Sequence, residues 1–343
     1  MQVVASDRHR HHHGLELDRG RLIRSWEGPD RAGIVLEAAV AAGLGPVVEP
    51  GPFDAELAAR VHDADYLDLL EHAWTRWVEA GHEAPAAMGI GWSGRRLGNR
   101  RPTDLVGQLG FHSFAADCSI VEGTWAAITS SAAIAHRAAD TVADGDRFAF
   151  ALCRPPGHHA MADQFGGYCY LNNAAIAAQH LLDRGASRVG ILDVDYHHGN
   201  GTQDIFFARP DVAFCSLHVD PLQQFPWFLG HADERGAGAG EGYSRNLPLP
   251  RGTSTPAWMA ALDDGLAWLL GLVLDALVVS LGVDTFEGDP ISDFGLTTSD
   301  FPALGLRLAG ADLPTVFVLE GGYAIDALGE NVAGVLTGAL DAA

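Results

Sequence analysis

The chain has 343 residues, of which 22 are basic and 44 acidic, giving a formal net charge of −22 at pH 7. This charge disfavours binding to nucleic-acid phosphates and anionic membranes, and it favours the approach of cationic small molecules. All 22 basic residues are arginines, which excludes Schiff-base chemistry on lysine and a lysine-containing phosphate loop.

The cysteines and the apolar runs bear on cellular location. The four cysteines are Cys118, Cys153, Cys169 and Cys215. Because they show no CxxC spacing, we expect buried free thiols in a reducing compartment. No apolar run approaches the ~18 residues of a membrane span, and the N-terminal residues lack a signal-peptide core. These features predict a soluble, cytoplasmic protein.

Short apolar and β-branched runs alternate along the chain with segments of helical length. The runs lie at residues 3–4, 47–48, 148–152, 189–194, 212–217, 277–281 and 316–319. Residues 174–182 and 258–270 are two of the helical segments. This alternation predicts an α/β fold with an open, mostly parallel sheet of about eight strands, covered by helices on both faces. Ligands of such sheets bind beyond the carboxyl ends of the strands.

Residues 81–114 interrupt this alternation. The segment is rich in glycine and arginine, and its arginines include Arg95, Arg96, Arg100 and Arg101. A long basic loop on an acidic protein could lie against a second subunit, or it could be solvated and mobile. Since no linker or internal repeat divides the chain, we expect a single domain over residues 1–343 with this one excursion.

Asp195 and His197 come at the end of the apolar run at 189–194. On an extended backbone, residues at i and i+2 point to the same side and can hold one cation. Asp284 follows the run at 277–281 in the matching position and is the predicted third ligand. Such a set leaves coordination positions open, as in catalytic zinc sites. Taken singly, each aspartate is more often a helix cap or loop residue, but together they favour a metal site.

Two adjacent histidines, His158 and His159, follow a Pro-Pro-Gly turn after the run at 148–152. A buried imidazole needs hydrogen-bond partners at both ring nitrogens, and Asp193 and Asn200 are candidates. Imidazoles held in this way are suited to proton transfer near neutral pH.

Aromatic residues follow glycine pairs at two places. Tyr323 comes after Gly321 and Gly322, where the backbone can turn the phenol inward to donate to an oxyanion. Packing is the simpler explanation for this tyrosine alone. Residues 166–173 similarly place aromatic side chains at a strand-to-helix turn, where they could line a pocket.

Five motifs, taken together, resemble the histone deacetylase family. They are RPPGHHA at 154–160, FGGYCYLNNAAIA at 165–177, DVDYHHGNGTQDIF at 193–206, SLGVDTF at 280–286 and EGGY at 320–323. Glu27, Pro29 and Arg31 are similar to the family's N-terminal signature, and Asp117-Cys118 to its rim element. The resemblance covers nearly the whole chain and looks closest to bacterial acetylpolyamine amidohydrolases. It implies an arginase/deacetylase-like fold that forms one catalytic domain.

The resemblance implies a catalytic site with one zinc ion per chain. The implied zinc ligands are Asp195, His197 and Asp284. His159 would be the general base and then the general acid, while His158, paired with Asp193, would stay positively charged. Tyr323 would hydrogen-bond the developing oxyanion. Asn200 would orient His159, and an amide at this position is typical of the class II and polyamine branch.

The family resemblance further implies a narrow apolar tunnel and structural potassium. Gly167, Tyr168 and Phe225 would line the tunnel, which suits a straight alkyl amine ending in an acetamide. A first potassium site would use Asp193, Ser216 and Leu217 with the main chain of Asp195 and His197. A second, main-chain site would use Phe206, Arg209, Val212 and Tyr243.

The sequence departs from the polyamine pattern at the rim. Asp117 stands where we expect a glutamate, and Val106 stands where some polyamine enzymes have another acid. Asp117 could meet a secondary ammonium, or it could hold the backbone of a peptide substrate as in histone deacetylases. The net charge favours an acetylpolyamine substrate, with acetyl-lysine peptides as the alternative.

Two rival functions belong to different protein classes. A binuclear manganese ureohydrolase on the same fold would need further bridging carboxylates, and Asp204 and Asp220 form no matching pair. A catalytically dead acyl-amine sensor would lack Tyr323 or a histidine, and these are present. We therefore predict a zinc-dependent amidohydrolase that releases acetate from N-acetylated amines. We expect a homodimer through residues 81–114, with no nucleic-acid or membrane partner.

Overall fold

A parallel β-sheet forms the centre of the molecule. A computed structural model describes residues 1–342. The strands in this part of the chain are β1 (Gln2–Val4), β2 (Leu15–Asp18), β3 (Arg21–Arg24), β4 (Val47–Val48), β5 (Phe148–Ala151), β6 (Val189–Asp193), β7 (Val212–Val219), β8 (Ser244–Leu249), β9 (Ala276–Leu281) and β10 (Thr315–Leu319). Eight of these described strands form the sheet in the order β4-β1-β5-β10-β9-β6-β7-β8, and all neighbours are parallel. β2 and β3 form a separate antiparallel hairpin.

Helices cover both faces of the sheet. They are α1 (Asp30–Ala41), α2 (Ala55–Ala58), α3 (Ala64–Glu79), α4 (Leu105–Phe111), α5 (Thr124–Ala143), α6 (Asn173–Asp183), α7 (Asn200–Phe206), α8 (Thr255–Leu270), α9 (Phe301–Ala309) and α10 (Ile325–Asp341). Successive side chains of β6 enter opposite cores, since Ile191 packs with residues of α3, α5 and α6, and Leu192 with residues of α8, α9 and α10. The structure confirms the predicted fold class.

The edge strand β8 shows where apolar runs fail to mark a strand. Its sequence, SRNLPL, contains a proline and three polar residues. An edge strand pairs on one side only and is partly solvated, so it needs no continuous apolar run. For the same reason, the apolar runs of the sequence predict neither this strand nor the β2–β3 hairpin.

Four adjacent strands place the candidate functional residues at the carboxyl-terminal end of the sheet. The strands β5, β10, β9 and β6 are neighbours in this order. His158 and His159 follow β5, Tyr323 follows β10, Asp284 follows β9, and Asp195 follows β6. Because all four strands run in the same direction, their carboxyl ends meet, and these side chains converge there.

The segment at 81–114 is mostly irregular before it enters α4. Ala87 forms an isolated antiparallel bridge with Ile120, which ties the segment to the body of the protein. All four cysteines are buried and unpaired in the described chain. Within residues 1–342, none of the helices has the length and apolar character needed to cross a membrane.

Candidate active site

Asp195, His197 and Asp284 form a buried cluster of potential metal ligands. Their ligand atoms lie within 4.8 Å of one another. His197 Nδ1 is 3.3 Å from Asp195 Oδ1 and 3.0 Å from Asp284 Oδ2. The parallel pairing of β6 with β9, in which Asp193 is opposite Ser280, brings the two strand ends together. The three residues predicted as zinc ligands are therefore neighbours in space.

Backbone donors fix the orientation of both carboxylates. The Gly321 N–H donates to Asp195 Oδ2 at 2.8 Å, and the His197 N–H donates to Asp195 Oδ1 at 2.9 Å. The Tyr196 N–H donates to Asp284 Oδ1 at 2.8 Å, which leaves Oδ2 directed toward His197. The ligand atoms are thus positioned by the protein itself.

The charges of this cluster favour a cation. Burial opposes ionisation of Asp195, but the His158 and His197 imidazoles outweigh it and hold the pKa of Asp195 below its ordinary range. Burial and the neighbouring Asp195 carboxylate raise the pKa of Asp284 to about 8. A divalent cation would relieve this repulsion between two buried carboxylates. One imidazole nitrogen and two carboxylates are ligands that zinc takes in catalytic sites, so the residues fit a zinc ion.

His158 and His159 lie side by side with different partners. Their ring centroids are 4.0 Å apart. His158 Nδ1 lies 3.0 Å from Asp193 Oδ2, and His159 Nδ1 lies 2.6 Å from Asn200 Oδ1. Because an amide oxygen only accepts, His159 Nδ1 carries the proton and Nε2 remains available as a base.

The two partners separate the pKa values of the adjacent imidazoles. Burial alone would lower the pKa of His158, but the Asp193 and Asp195 carboxylates raise it to about 10. Burial and the neighbouring His158 lower the pKa of His159 well below its ordinary value. One imidazole is therefore cationic near pH 7 and the other is a neutral base, a division typical of acid–base sites.

Glu320 fixes the backbone that carries the two histidines. Its Oε2 accepts hydrogen bonds from the Gly157 N–H at 2.7 Å and the His158 N–H at 3.1 Å. The side chain is fully buried, and burial raises its pKa to about 7. Glu320 was recognised in the sequence only as part of the EGGY motif, and no role was predicted for it. Its position at the end of β10 was the available signal.

Tyr323 projects into the same site from the turn after β10. The Tyr323 N–H donates to Asp289 Oδ2 at 2.7 Å, and the Arg31 guanidinium lies 4.9 Å from the centre of the phenol ring. Arg31 is fully buried and donates to the carbonyl oxygens of Glu320 at 2.6 Å and Gly322 at 2.7 Å. The phenol is therefore held by contacts to its ring and backbone. Asp289, which holds that backbone, was missed by the sequence analysis.

A cavity of about 550 Å³ leads from the surface to these residues. Its lining includes His159, His197, Gly167, Tyr168, Phe225 and Tyr323. Phe225 lies with its ring centre 5.0 Å from that of His159, and Tyr168 lies 5.7 Å from Tyr323. The three residues predicted to line a tunnel thus all border this cavity.

Glycines provide the space around the reacting groups. Gly167 has a φ of +58°, and a Cβ on it would overlap the His159 ring. A Cβ on Gly282 would overlap the Asp195 carboxylate, and one on Gly321 would come too close to the Asp195 and Asp284 carboxylates. Any larger residue at these three positions would displace a predicted base or ligand.

Carboxylates line the outer part of the cavity. Asp117 Oδ1 accepts a hydrogen bond from the Gly167 N–H at 2.9 Å, and burial raises the pKa of Asp117 to about 6. Glu16, on β2, also lines the cavity, and burial raises its pKa to about 7. Glu16 was not predicted from the sequence, because it lies in a hairpin that no apolar run predicts. Val106 lies on α4 and packs against the core.

The residues predicted to hold potassium lie around β6, β7 and the turns beside them. Asp193 and Ser216 are opposite each other in the β6–β7 pairing, and Leu217 follows Ser216 on β7. The members of the second predicted set are Phe206, Arg209, Val212 and Tyr243; the first three span the end of α7 to the start of β7, and Tyr243 precedes β8.

The two carboxylates considered for a second catalytic metal have other contacts. Asp204 accepts a hydrogen bond from the Ala162 N–H, and Asp220 accepts one from the Leu222 N–H. Neither belongs to a potential metal-ligand group within residues 1–342. The geometry gives no support to a binuclear site.

Comparison with known proteins tests the predicted family. A model of the histone deacetylase domain matches residues 25–339. Acetylpolyamine amidohydrolase 1 of Pseudomonas aeruginosa is 52% identical, and the match covers 98% of each chain. Acetylpolyamine amidohydrolase of Mycoplana ramosa is 50% identical over 98% of this chain and 99% of the relative. The crystal structure of acetylpolyamine aminohydrolase from Burkholderia pseudomallei superposes with a TM-score of 0.92 at 43% identity, covering 98% of both chains. The predicted family is confirmed: the chain belongs to the histone deacetylase domain family.

Proposed function

We propose that the protein is a zinc-dependent amidohydrolase that hydrolyses the acetamide of acetylpolyamines, releasing acetate and the free amine. The observation that carries the proposal is the convergence of the Asp195–His197–Asp284 set, the His158–His159 pair and Tyr323 at the end of one cavity. The relatives that are about half identical over nearly the whole chain carry the name acetylpolyamine amidohydrolase, which supports this substrate class over acetyl-lysine peptides.

Asp195, His197 and Asp284 would hold the zinc ion. When bound, zinc supplies Lewis-acid catalysis by polarising the amide carbonyl and lowering the pKa of water. The backbone donors on both carboxylates hold these ligands in position.

His159 is the proton carrier in this proposal. Its free Nε2 takes a proton from the attacking water and then delivers it to the nitrogen of the departing amine. Asn200 holds Nδ1–H and so fixes the tautomer that this transfer requires. Asp193 maintains the positive charge of His158. This charge stabilises the negative charge that develops on the oxygen atoms bound to the carbonyl carbon during the reaction.

Tyr323 donates a hydrogen bond to the developing oxyanion. No residue in the described chain is hydrogen-bonded to its hydroxyl, and the side chain lines the cavity. A preorganised donor of this kind costs no reorganisation during the reaction.

The charges at the outer cavity suit a cationic substrate. Arg19 pairs with Asp18, and Arg251 pairs with Asp293. Glu16 and Asp117 therefore supply the net charge that faces the cavity. An ammonium group beside them would favour their ionised forms and gain ion pairing away from bulk water.

A comparison of specificity constants tests the substrate class. Acetylputrescine, acetylspermidine and an acetyl-lysine peptide are measured on one zinc-loaded preparation. We expect kcat/KM for the acetylpolyamines to exceed that for the peptide at least tenfold. A peptide preference would overturn the proposed substrate, and hydrolysis of none of the three would overturn the reaction itself.

We also propose the two structural potassium ions, one at Asp193, Ser216 and Leu217 and one at the Phe206–Tyr243 set. The adjacency of Asp193 and Ser216 across β6 and β7 supports the first. A potassium ion at the first site would stabilise the end of β6, which carries Asp195 and the Asp193 carboxylate that contacts His158. Thermal unfolding in potassium chloride and in tetramethylammonium chloride at equal ionic strength tests the potassium sites. If potassium binds there, the Tm should be higher in potassium chloride, and equal Tm values would contradict the proposal.

We also propose a homodimer through residues 81–114, and the exposed side chains of that segment support it. Ile90 is 86% exposed and Leu97 is 67% exposed, and both lie near the arginine cluster on a protein of net charge −22. Apolar and basic groups together fit an acidic surface of a second copy. Light scattering at working concentration should give twice the mass of the chain, and a monomer would contradict the proposal.

A further inference from the structure

A second cluster of potential metal ligands lies between two helices, outside the active site. His136 and Asp140 are one turn apart on α5, and His180 faces them from α6. Their ligand atoms all lie within 4.8 Å of one another, and the three side chains are partly buried. Helix packing therefore holds these groups together without any contribution from the catalytic residues.

The separations within this cluster suit a tetrahedral ion. His180 Nε2 is 2.7 Å from Asp140 Oδ1, and His136 Nε2 is 3.8 Å from Asp140 Oδ2. Zinc bonds of about 2.0–2.1 Å place neighbouring ligand atoms of a tetrahedron roughly 3.3–3.4 Å apart. One ligand atom from each of the three residues lies within 4.8 Å of the others, so side-chain rotations would bring the three atoms around one ion.

The surroundings admit and attract a hydrated cation. A cavity of about 690 Å³ borders His136 and Asp140. The other charged groups on its wall are Glu49, Asp54, Glu56 and Arg137. Carboxylates thus outnumber the guanidinium, and burial together with the neighbouring His180 lowers the pKa of His136. A neutral imidazole is the form that binds metal.

Arg184 is the group that competes for Asp140. It pairs with Oδ1 of Asp140 and, through its other nitrogen, with Asp144 at 2.7 Å. Its charge is therefore shared between two carboxylates. Since each carboxylate oxygen has two lone-pair positions, and Asp140 Oδ2 faces His136, Asp140 keeps capacity for a cation.

We propose that His136, Asp140 and His180 form a second divalent-metal site that takes zinc, or another late first-row transition ion, in exchangeable form. Such an ion would link α5 to α6, with a fourth position left to water. Because the three ligands are only partly buried, this site binds its ion more weakly than the buried Asp195–His197–Asp284 set. The inference does not depend on the proposed deacetylase activity.

Cobalt titration tests the proposal. The protein is first loaded with zinc at the buried set, dialysed, and titrated with Co²⁺, while equilibrium dialysis counts bound cobalt and visible absorption reports its geometry. We expect one additional cobalt per chain with the intense bands of a tetrahedral ion. His180→Ala and His136→Ala should each weaken this binding at least tenfold without changing hydrolysis of an acetylpolyamine.

The chain contains a matched control. Asp68 and His72 form another i, i+4 pair on α3, with His72 Nε2 3.7 Å from Asp68 Oδ1, but they belong to no three-residue ligand group in the described chain. His72→Ala should bind cobalt as the unmodified protein does. Equal cobalt binding by His180→Ala and the unmodified protein would overturn the site, and so would an equal loss in His72→Ala.

Discussion

The strand ends and the rim of the active-site cavity are built in opposite ways. At the strand ends, Asp195, Asp284 and Glu320 are fully buried, and backbone N–H groups hold each carboxylate. At the rim, Leu17 of the β2–β3 hairpin and Trp26, which follows the hairpin, are about half exposed. The reaction thus depends on sheet register, which tolerates little change, whereas substrate choice depends on loops, which tolerate more.

Loss of a carboxylate at the strand ends should have the largest effect. In Asp284→Asn the oxygen that accepts the Tyr196 N–H is kept, but the negative charge is lost. We expect zinc to be lost and kcat/KM to fall by more than the ~10–100-fold typical of outer-shell changes. Metal analysis and initial rates measure both. Asp312→Asn, whose side chain is 91% exposed, is the control; full zinc content in Asp284→Asn would remove this residue from the site.

Tyr323→Phe should lower turnover without affecting the metal. Removing one oxyanion donor costs ~10²–10³ in kcat, because the charge develops where no other donor replaces it. Zinc content should stay unchanged, since the phenol contributes no ligand. Tyr168→Phe is a matched control in the same cavity, because the Tyr168 hydroxyl interacts with Glu16. Similar losses in both variants would contradict a specific oxyanion contact.

Asn200→Asp should shift the pH profile rather than abolish activity. A carboxylate 2.6 Å from His159 Nδ1 would favour the imidazolium, and its pKa would rise by about 1–3 units. The neutral base would then form only at higher pH, so the acid limb of kcat/KM should move upward in pH. An unshifted acid limb would show that His159 does not titrate as the base.

The smallest effect is expected at the rim. Glu16→Gln should raise KM for an acetylpolyamine a few-fold and leave kcat nearly unchanged. Because the pKa of Glu16 is raised to about 7, its charge appears as the pH rises through that value, and the difference in KM should grow with it. N-acetylbutylamine, which is neutral, should show no such difference. Equal effects on the two substrates would mean that Glu16 does not act through charge.

The contrast between the strand ends and the rim also explains which site residues the sequence could predict. Asp195, Asp284 and His158 each follow a continuous apolar run, so strand position and residue type sufficed to propose that they meet. Glu16 could not be placed in this way. Its hairpin joins the cavity through long-range contacts, such as the Leu15 N–H donating to Ser119 Oγ at 2.7 Å. Such contacts between distant loops leave no periodic pattern in the chain.

Asp289 was missed for a related reason. It holds the Tyr323 N–H from an irregular stretch after β9, and nothing in its neighbours distinguishes it from a solvated loop aspartate. The motifs at 154–160 and 320–323, by contrast, predicted the family because they occur together with the three other motifs in the family's order.

The glycines around the reacting groups limit how this enzyme can evolve. Gly167, Gly282 and Gly321 lie against His159 and the two carboxylates, where any side chain would displace a reacting group. Natural selection would remove mutations at these positions whichever substrate the enzyme hydrolyses. Adaptation to a new acylated amine would therefore accumulate in the β2–β3 hairpin and the neighbouring loops, and lineages that differ in substrate should still share these three glycines.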